Sequence, residues 1–478
     1  MKLDEIELTN PYLELPPLCF DRVEPTPLKK PFLIHANEEV AKELGLDLEE
    51  LQSENFVKFV NGDLKLKGSD TFSMCYAGHQ FGHFVPRLGD GRAINIGTLN
   101  NLQMQLKGSG KTLYSRSGDG RAVLRSSIRE YLMSEAMHGL GIETTRALAI
   151  IGSEQEVIRE NWEKASIVLR VSPTWIRFGT FEYFAHSNNL KELEALADYA
   201  IEECYPHLMI EENRYFHFFT EVMGRTARLM AHWQSVGFNH GVMNTDNMSI
   251  FGITIDYGPY AFLDDYSTNY ICNHTDRNGR YSFGNQPRIG EWNLHALALA
   301  LSPLVKKERL EKTMEHYGRL YSQHFLYLMG QKLGLDNATD DDFEMIKHLL
   351  GVLQSLNVDY TLFFRTLSRY DGEREPILKL GLLHNPMIDW LDSYDQRLEK
   401  NSSTIEERQQ KMLKINPKFV LKNYILQEAI DAADTGDFSV VAKLFEIAQN
   451  PYGEHEGYKR WSEETPSAFK NQKLSCSS

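Results

Sequence analysis

The sequence predicts an α+β fold in two lobes, the first rich in strands and the second in helices, followed by a helical extension. Three observations predict it. Short β-like runs crowd the first part: "RAINIG", "LQMQLKG", "ALAIIG" and "SIVLRVS". From about residue 188 the apolar residues recur at spacings of three and four. Within the helical part lies one loop-rich stretch, "HGVMNTDNMSIFGITIDYG", dense in side chains that can do chemistry.

Taken in order, residues 1–60 read as an irregular, Pro-rich lead-in ("ELPPL", "EPTPLKKP") with one acidic helix near "NEEVAKELGLD". Residues 61–187 form the expected first lobe. Its one helix is "SSIREYLMSEAMHGLG", with the stripe Ile128, Tyr131, Leu132, Ala136 and Leu140 and a stop at Gly139 and Gly141. Residues 188–310 form the expected second lobe, opening with "LKELEALADYAIEECY" and "FFTEVMGRTARLMAHWQSVG". Residues 311–478 are the expected extension, ending in a polar, mobile tail, "SAFKNQKLSCSS".

Composition narrows the classes. The 478 residues are 42% hydrophobic and 11% aromatic, ordinary values for a globular chain with a large core. A net charge of −15 argues against nucleic acid or an anionic membrane as partner. No stretch of about 18 apolar residues would span a bilayer, and the acidic N-terminus resembles no secretory or transit signal. Five scattered cysteines (Cys19, Cys75, Cys204, Cys272, Cys476) contain no CxxC pair, which excludes a cysteine zinc site and fits a reducing, cytoplasmic setting. Against this acidic background, residues 87–129 carry eight Lys/Arg and two Asp, so an anion is the expected tenant there.

Two turns in that basic segment share the tetrapeptide GDGR. Gly89-Asp90-Gly91-Arg92 is the first, and Gly118-Asp119-Gly120-Arg121 is the second. Glycine lets backbone N–H groups approach a phosphate, although a plain hairpin would use it as well. "KGSGKT" imitates a P-loop, but Gln105 stands where the first glycine is required, and that reading fails. Lys107 instead ends a β-like run, with Glu130 23 residues later at the edge of the helical stripe. A kinase pairs such a Lys with a helix Glu and the phosphates.

"HGVMNTDN" carries His240 and Asn247 seven apart, as in a kinase catalytic loop, but Val242 replaces the catalytic Asp. After a short expected hairpin, "MSIFGIT", Asp256-Tyr257-Gly258 stands where kinases have D-F-G. Asn247 and Asp256 are thus candidate ligands for a hard cation. Asp246 is the carboxylate left to accept a proton, or else only shapes the loop.

The blocks "YAGHQFG", "GDGRA", "KGSGKTLYSRSGDGRAVLRSSIREYLMSEAMHGLGI", "HGVMNTDNMSI", "TIDYGPYAFLDDY" and the terminal "CSS" resemble the selenoprotein O family over roughly residues 60–300 and again at the tail. The resemblance implies a protein-kinase-like fold that transfers AMP from ATP, or UMP from UTP, to hydroxyl side chains of proteins with Mg2+ or Mn2+. It implies a nucleotide held flipped, with the α-phosphate toward the acceptor. Gly89, Gly91, Arg92, Lys107, Asp119, Gly120, Arg170 and Arg177 would then bind nucleotide, and Asn247 and Asp256 the metal. Asp246 would accept the proton, and Glu130 would support Lys107. Cys476 stands where the family often has selenocysteine, and Cys272 and Cys476 are expected either to form a reversible disulfide that pins the tail or to remain two separate thiols. Alternatives are a conventional kinase and a non-catalytic nucleotide-binding scaffold.

Overall fold

β-branched and aromatic residues with short turns between them build one eight-stranded antiparallel sheet in the first part of this computed structural model, which describes residues 1–381 and 385–475. Its strands are β1 (Phe20–Arg22), β2 (Pro31–Ala36), β3 (Phe72–Met74), β6 (Ala93–Leu99), β7 (Leu102–Lys107), β8 (Ala122–Val123), β9 (Arg146–Ile158) and β10 (Trp162–Ser172). A separate hairpin, β4 (Gly78–Gln80) and β5 (His83–Val85), lies off the sheet. The order across the sheet is β1-β3-β6-β7-β10-β9-β2, with β8 on β10. Asn100 and Asn101, both at positive φ, form the tight turn between β6 and β7. The expected irregular lead-in is corrected here: β1 and β2 extend the two edges of the sheet, and Pro31 is tolerated because it is a strand's first residue.

Helices α1 (Glu38–Glu43) and α2 (Glu54–Asn61) cover one face of the sheet, over a core that includes Val40, Phe56, Leu106 and Ile167. The other face carries α3 (Leu124–Gly139), buried on most sides. The second part follows with α4 (Phe178–His186), which the periodicity did not announce, α5 (Leu190–Cys204) and α6 (Arg214–Val236). A two-stranded pair, β11 (Phe238–Asn239) with β12 (Ala261–Phe262), frames the "HGVMNTDN" loop before α7 (Gln286–Leu301).

The extension runs from α8 (Lys307–Met314) and α9 (Tyr317–Lys332) through α10 (Asp342–Leu356), α11 (Tyr360–Leu367), α12 (Glu375–Leu378), α13 (Asn385–Leu398) and α14 (Ile405–Ile415) to α15 (Asn423–Asp434) and α16 (Ser439–Gln449). Helices α9 to α14 build their own core around Trp390, Phe363 and Leu353. Helices α15 and α16 turn back to join α3 in the main core.

Two further expectations are corrected. "MSIFGIT" is not a hairpin. Gly252 does turn the chain, but each arm bonds elsewhere: Phe178 N donates to Met248 O (2.9 Å), and Thr254 N to Glu143 O (2.9 Å). Burying Ile250, Ile253 and Ile255 against neighbouring segments outweighs local pairing. The tail is tethered as far as it is described. Asn471 N donates to Asp264 Oδ2 (3.0 Å), and Leu474 N to Cys272 O (2.7 Å). No helix among the described residues is long and apolar enough to cross a membrane.

Candidate active site

Lys107 closes β7, paired across to Ala93 of β6 and Val168 of β10, so the backbone fixes where its side chain leaves the sheet. Its Nζ lies 2.6 Å from Glu130 Oε2 on α3. Arg170, on β10, takes the other oxygen of Glu130 at 2.9 Å. Arg177 stands just before α4 and stacks its guanidinium 4.4 Å over the ring of Tyr76. All three cations converge on Asp256: Lys107 and Arg170 on Oδ1 at 3.4 Å each, and Arg177 on Oδ2 at 3.2 Å. Burial by itself would push the Asp256 carboxyl up. Lys107, Arg177 and Arg170 together hold it well below the usual carboxylate range. Asp256 also sits at φ +60, a left-handed conformation that costs a non-glycine residue on the order of 1 kcal/mol or more.

Asp246 is in the opposite condition. Burial pushes its carboxyl up to about 7, only partly offset by Gln80 and Arg177. Gln80 Nε2 donates to Oδ2 at 3.2 Å, while the buried Oδ1 has no hydrogen-bond partner. A buried acceptor left open is costly, and Oδ1 has capacity for one further donor. The backbone here is firmly held. Arg177 takes Asp246 O at 3.0 Å, and His240, stacked on Trp233, bonds Ile255 O at 2.8 Å. Asn247 donates its amide N–H to Val242 O (3.0 Å), which leaves its amide oxygen as an acceptor.

The glycine turns crowd the opposite wall. At Gly89 a Cβ would lie 2.3 Å from the ring of Tyr114, and at Gly120 one would lie 2.1 Å from Gly110, so no larger residue fits either turn. Asp119 is gripped in a two-pronged pair by Arg159, at 2.8 and 3.0 Å.

These residues enclose a cleft of about 1060 Å3, ample for a nucleoside triphosphate. It is lined by Gly89, Gly91, Arg92, Lys107, Asp119, Gly120, Arg170, Arg177, Asp246, Asn247 and Asp256, while Glu130 stands behind Lys107. Cys272 is fully buried, and Cys476 lies outside the described residues. Among the described residues no three His, Cys, Asp or Glu are grouped to hold a metal ion. Asn247 and Asp256 both offer side-chain oxygens to the cleft, the donor type that a hard cation takes together with water and phosphate oxygens.

Sequence reasoning missed four contributors. Asp90, of the first GDGR, accepts from Arg177 (3.4 Å) and from Met74 N (3.1 Å). Gln105 binds Arg170, Arg159 binds Asp119, and Gln80 binds Asp246. The duplicated GDGR was the one signal that pointed at any of them.

A family model described as "Protein adenylyltransferase SelO" matches residues 3–449. Full-length similarity extends to curated bacterial proteins, each named "Protein nucleotidyltransferase YdiU". The protein from Aliivibrio salmonicida is 46% identical, with 99% of each chain covered. The one from Myxococcus xanthus is 44% identical over 100% of this chain and 99% of its own, and the one from Ectopseudomonas mendocina 42% over 100% of both.

Proposed function

The chain belongs to the SelO family of protein adenylyltransferases, and from that premise we propose that its cleft transfers AMP or UMP from the nucleoside triphosphate to hydroxyl side chains of proteins. The acceptor oxygen bonds to the α-phosphorus as the bond to the β-phosphate oxygen breaks. Pyrophosphate leaves, and the hydroxyl proton passes to Asp246. The observation that carries this reading is the pair of unlike carboxylates in one cleft: Asp256 ringed by three cations, and Asp246 with an open oxygen. One group is prepared for charge, the other for a proton.

Asn247 and Asp256 would hold Mg2+ or Mn2+, which when bound neutralises charge on the phosphates. Lys107, Arg92, Arg170 and Arg177 add fixed positive charge, and Gly89, Gly91, Asp119 and Gly120 shape the wall against the nucleotide. The arrangement is that of a protein-kinase-like pair of lobes, divided near residue 187 and followed by an extension from about residue 311. Val242, at the position of a kinase's base, cannot accept a proton, which favours nucleotidyl over phosphoryl transfer. The same reading pairs Cys272 with Cys476 to secure the tail. Supporting it, the chain already bonds to Cys272 O through Leu474 N.

The test supplies ATP labelled at the α- or the γ-phosphate, with either metal ion, and follows label into protein. Label from α-ATP alone is expected. Label from γ-ATP alone would show a conventional kinase, and nucleotide binding without any label a non-catalytic scaffold.

A further inference from the structure

The β4–β5 hairpin touches both the cleft and an arginine that does not line it. Gln80 bonds Asp246, and Phe81 N donates to Tyr281 Oη at 2.9 Å and to Asn244 Oδ1 at 3.2 Å. At the turn of the hairpin, the guanidinium carbon of Arg280 lies 3.4 Å from where a Cβ on Gly82 would stand. Arg280 stacks 4.6 Å over the ring of Trp292 on α7. No carboxylate ion-pairs with Arg280 among the described residues, and its Nε is buried without a partner.

The turn that presents Arg280 is rigid. Asp276 accepts from Arg280 N (3.0 Å) and Tyr281 N (2.7 Å), so its carboxylate is engaged by the backbone. It is the only carboxylate in residues 273–290, a stretch with three arginines. Arg277 is exposed on the same turn, and Arg288 is exposed one helical turn before Trp292. Neither makes an ion pair among the described residues. In a chain of net charge −15, arginines without an ion-paired carboxylate, two on this turn and one on α7, call for an external anion.

We infer that Arg280, with Arg277 and Arg288, is a docking site for the acceptor protein, and that it selects segments with acidic side chains beside the modified hydroxyl. The inference rests on the nucleotidyl-transfer reading for what happens after docking, but docking itself can be measured without it. An arginine flat on an indole presents its edge N–H groups in the geometry that a carboxylate accepts. Gly82, beside that guanidinium, is two residues from Gln80, which holds Asp246, so an acid bound there would deliver a nearby hydroxyl to the cleft.

The test uses the full chain and three fluorescent peptides, each with one Ser flanked by Glu, by Gln or by Lys. Anisotropy is expected to show the Glu peptide binding at least about tenfold tighter than the Gln peptide. That gap should collapse with added salt and in Arg280→Glu, and survive in Arg280→Lys. Arg280→Glu should instead favour the Lys peptide, a gain that misfolding would not produce. The affinity for ATP, measured separately, should change less than about twofold, because Arg280 does not line the cleft. Equal binding of all three peptides to the wild-type chain, or an acidic preference unchanged in Arg280→Glu, overturns the inference. Acidic peptides that dock but take no label from α-ATP would defeat the transfer reading and leave the docking site standing. Label without charge preference would do the reverse.

Discussion

Asp246 and Asp256 share one cleft, yet their surroundings push them in opposite directions. Three cations reach Asp256, and among the described residues none reaches the carboxyl of Asp246 within ion-pair distance. The two should therefore fail differently. Asp246→Asn keeps the shape and the Gln80 contact and removes the proposed proton acceptor. Turnover should fall roughly 100- to 10,000-fold while ATP still binds, as equilibrium binding would show. Asp256→Ala leaves Lys107, Arg170 and Arg177 facing one another and removes the candidate metal oxygens. Nucleotide affinity should fall along with turnover, and full transfer activity in that variant would refute the assignment. At this scale the sequence was legible where spacing is local: Asn247 and Asp256 lie nine residues apart and are visible together. Arg170 and Arg177 were not, because what makes them unusual is burial at 3% and 2% exposure, a product of tertiary packing. A buried arginine and a surface arginine read alike in one dimension.

Helix α3 shows what positions such residues. It holds Glu130 toward Lys107, and it is clamped from behind. Arg129 donates to Tyr260 O (3.0 Å) and to Asn423 Oδ1 (3.2 Å) on α15. Near its end, a Cβ on Gly139 would stand 2.0 Å from Ala448 O of α16. Gly139 thus permits the closest approach between α3 and the returning extension, a role beyond the helix stop that the sequence suggested. Gly139→Ala should force the two helices apart at a cost of roughly 1–3 kcal/mol. The expected result is a lower Tm and a weaker ATP affinity together, since α16 supports the helix that holds Glu130. An unchanged melting curve would show that the contact yields freely. The helical period of α5 was readable because it buries one stripe, Leu193, Leu196, Ala197, Ala200 and Ile201; α3 was readable from its apolar spacing although it is buried on most sides. The supposed "MSIFGIT" hairpin was not, since its arms found partners at Arg177 and Thr144, over 70 residues away. Short apolar runs do not name their partners.

Across the whole molecule, the extension is the part that was legible beforehand only as helix after helix. Its core, centred on α9 to α14, encloses a charge that no periodicity would predict. Lys332, at the end of α9, is 4% exposed. Its Nζ lies 4.2 Å from the ring centre of Phe364 and 5.6 Å from that of Tyr360, with no ion-paired carboxylate among the described residues. Two aromatic faces do not replace water for an ammonium, and burial lowers its pKa from 10.5 to about 7. Between those two values the unfolded chain holds a proton that the folded chain has released. Stability therefore rises with pH across that window, by at most roughly 1.4 kcal/mol per pH unit from this group. Below about pH 7 the penalty is full and constant. Lys332→Met fills similar volume without the charge. It should melt higher than the wild-type chain at pH 7, with the difference shrinking steadily toward pH 10. A difference independent of pH over that range would show that Lys332 stays protonated, and that Phe364 and Tyr360 hold the ammonium better than its burial implies.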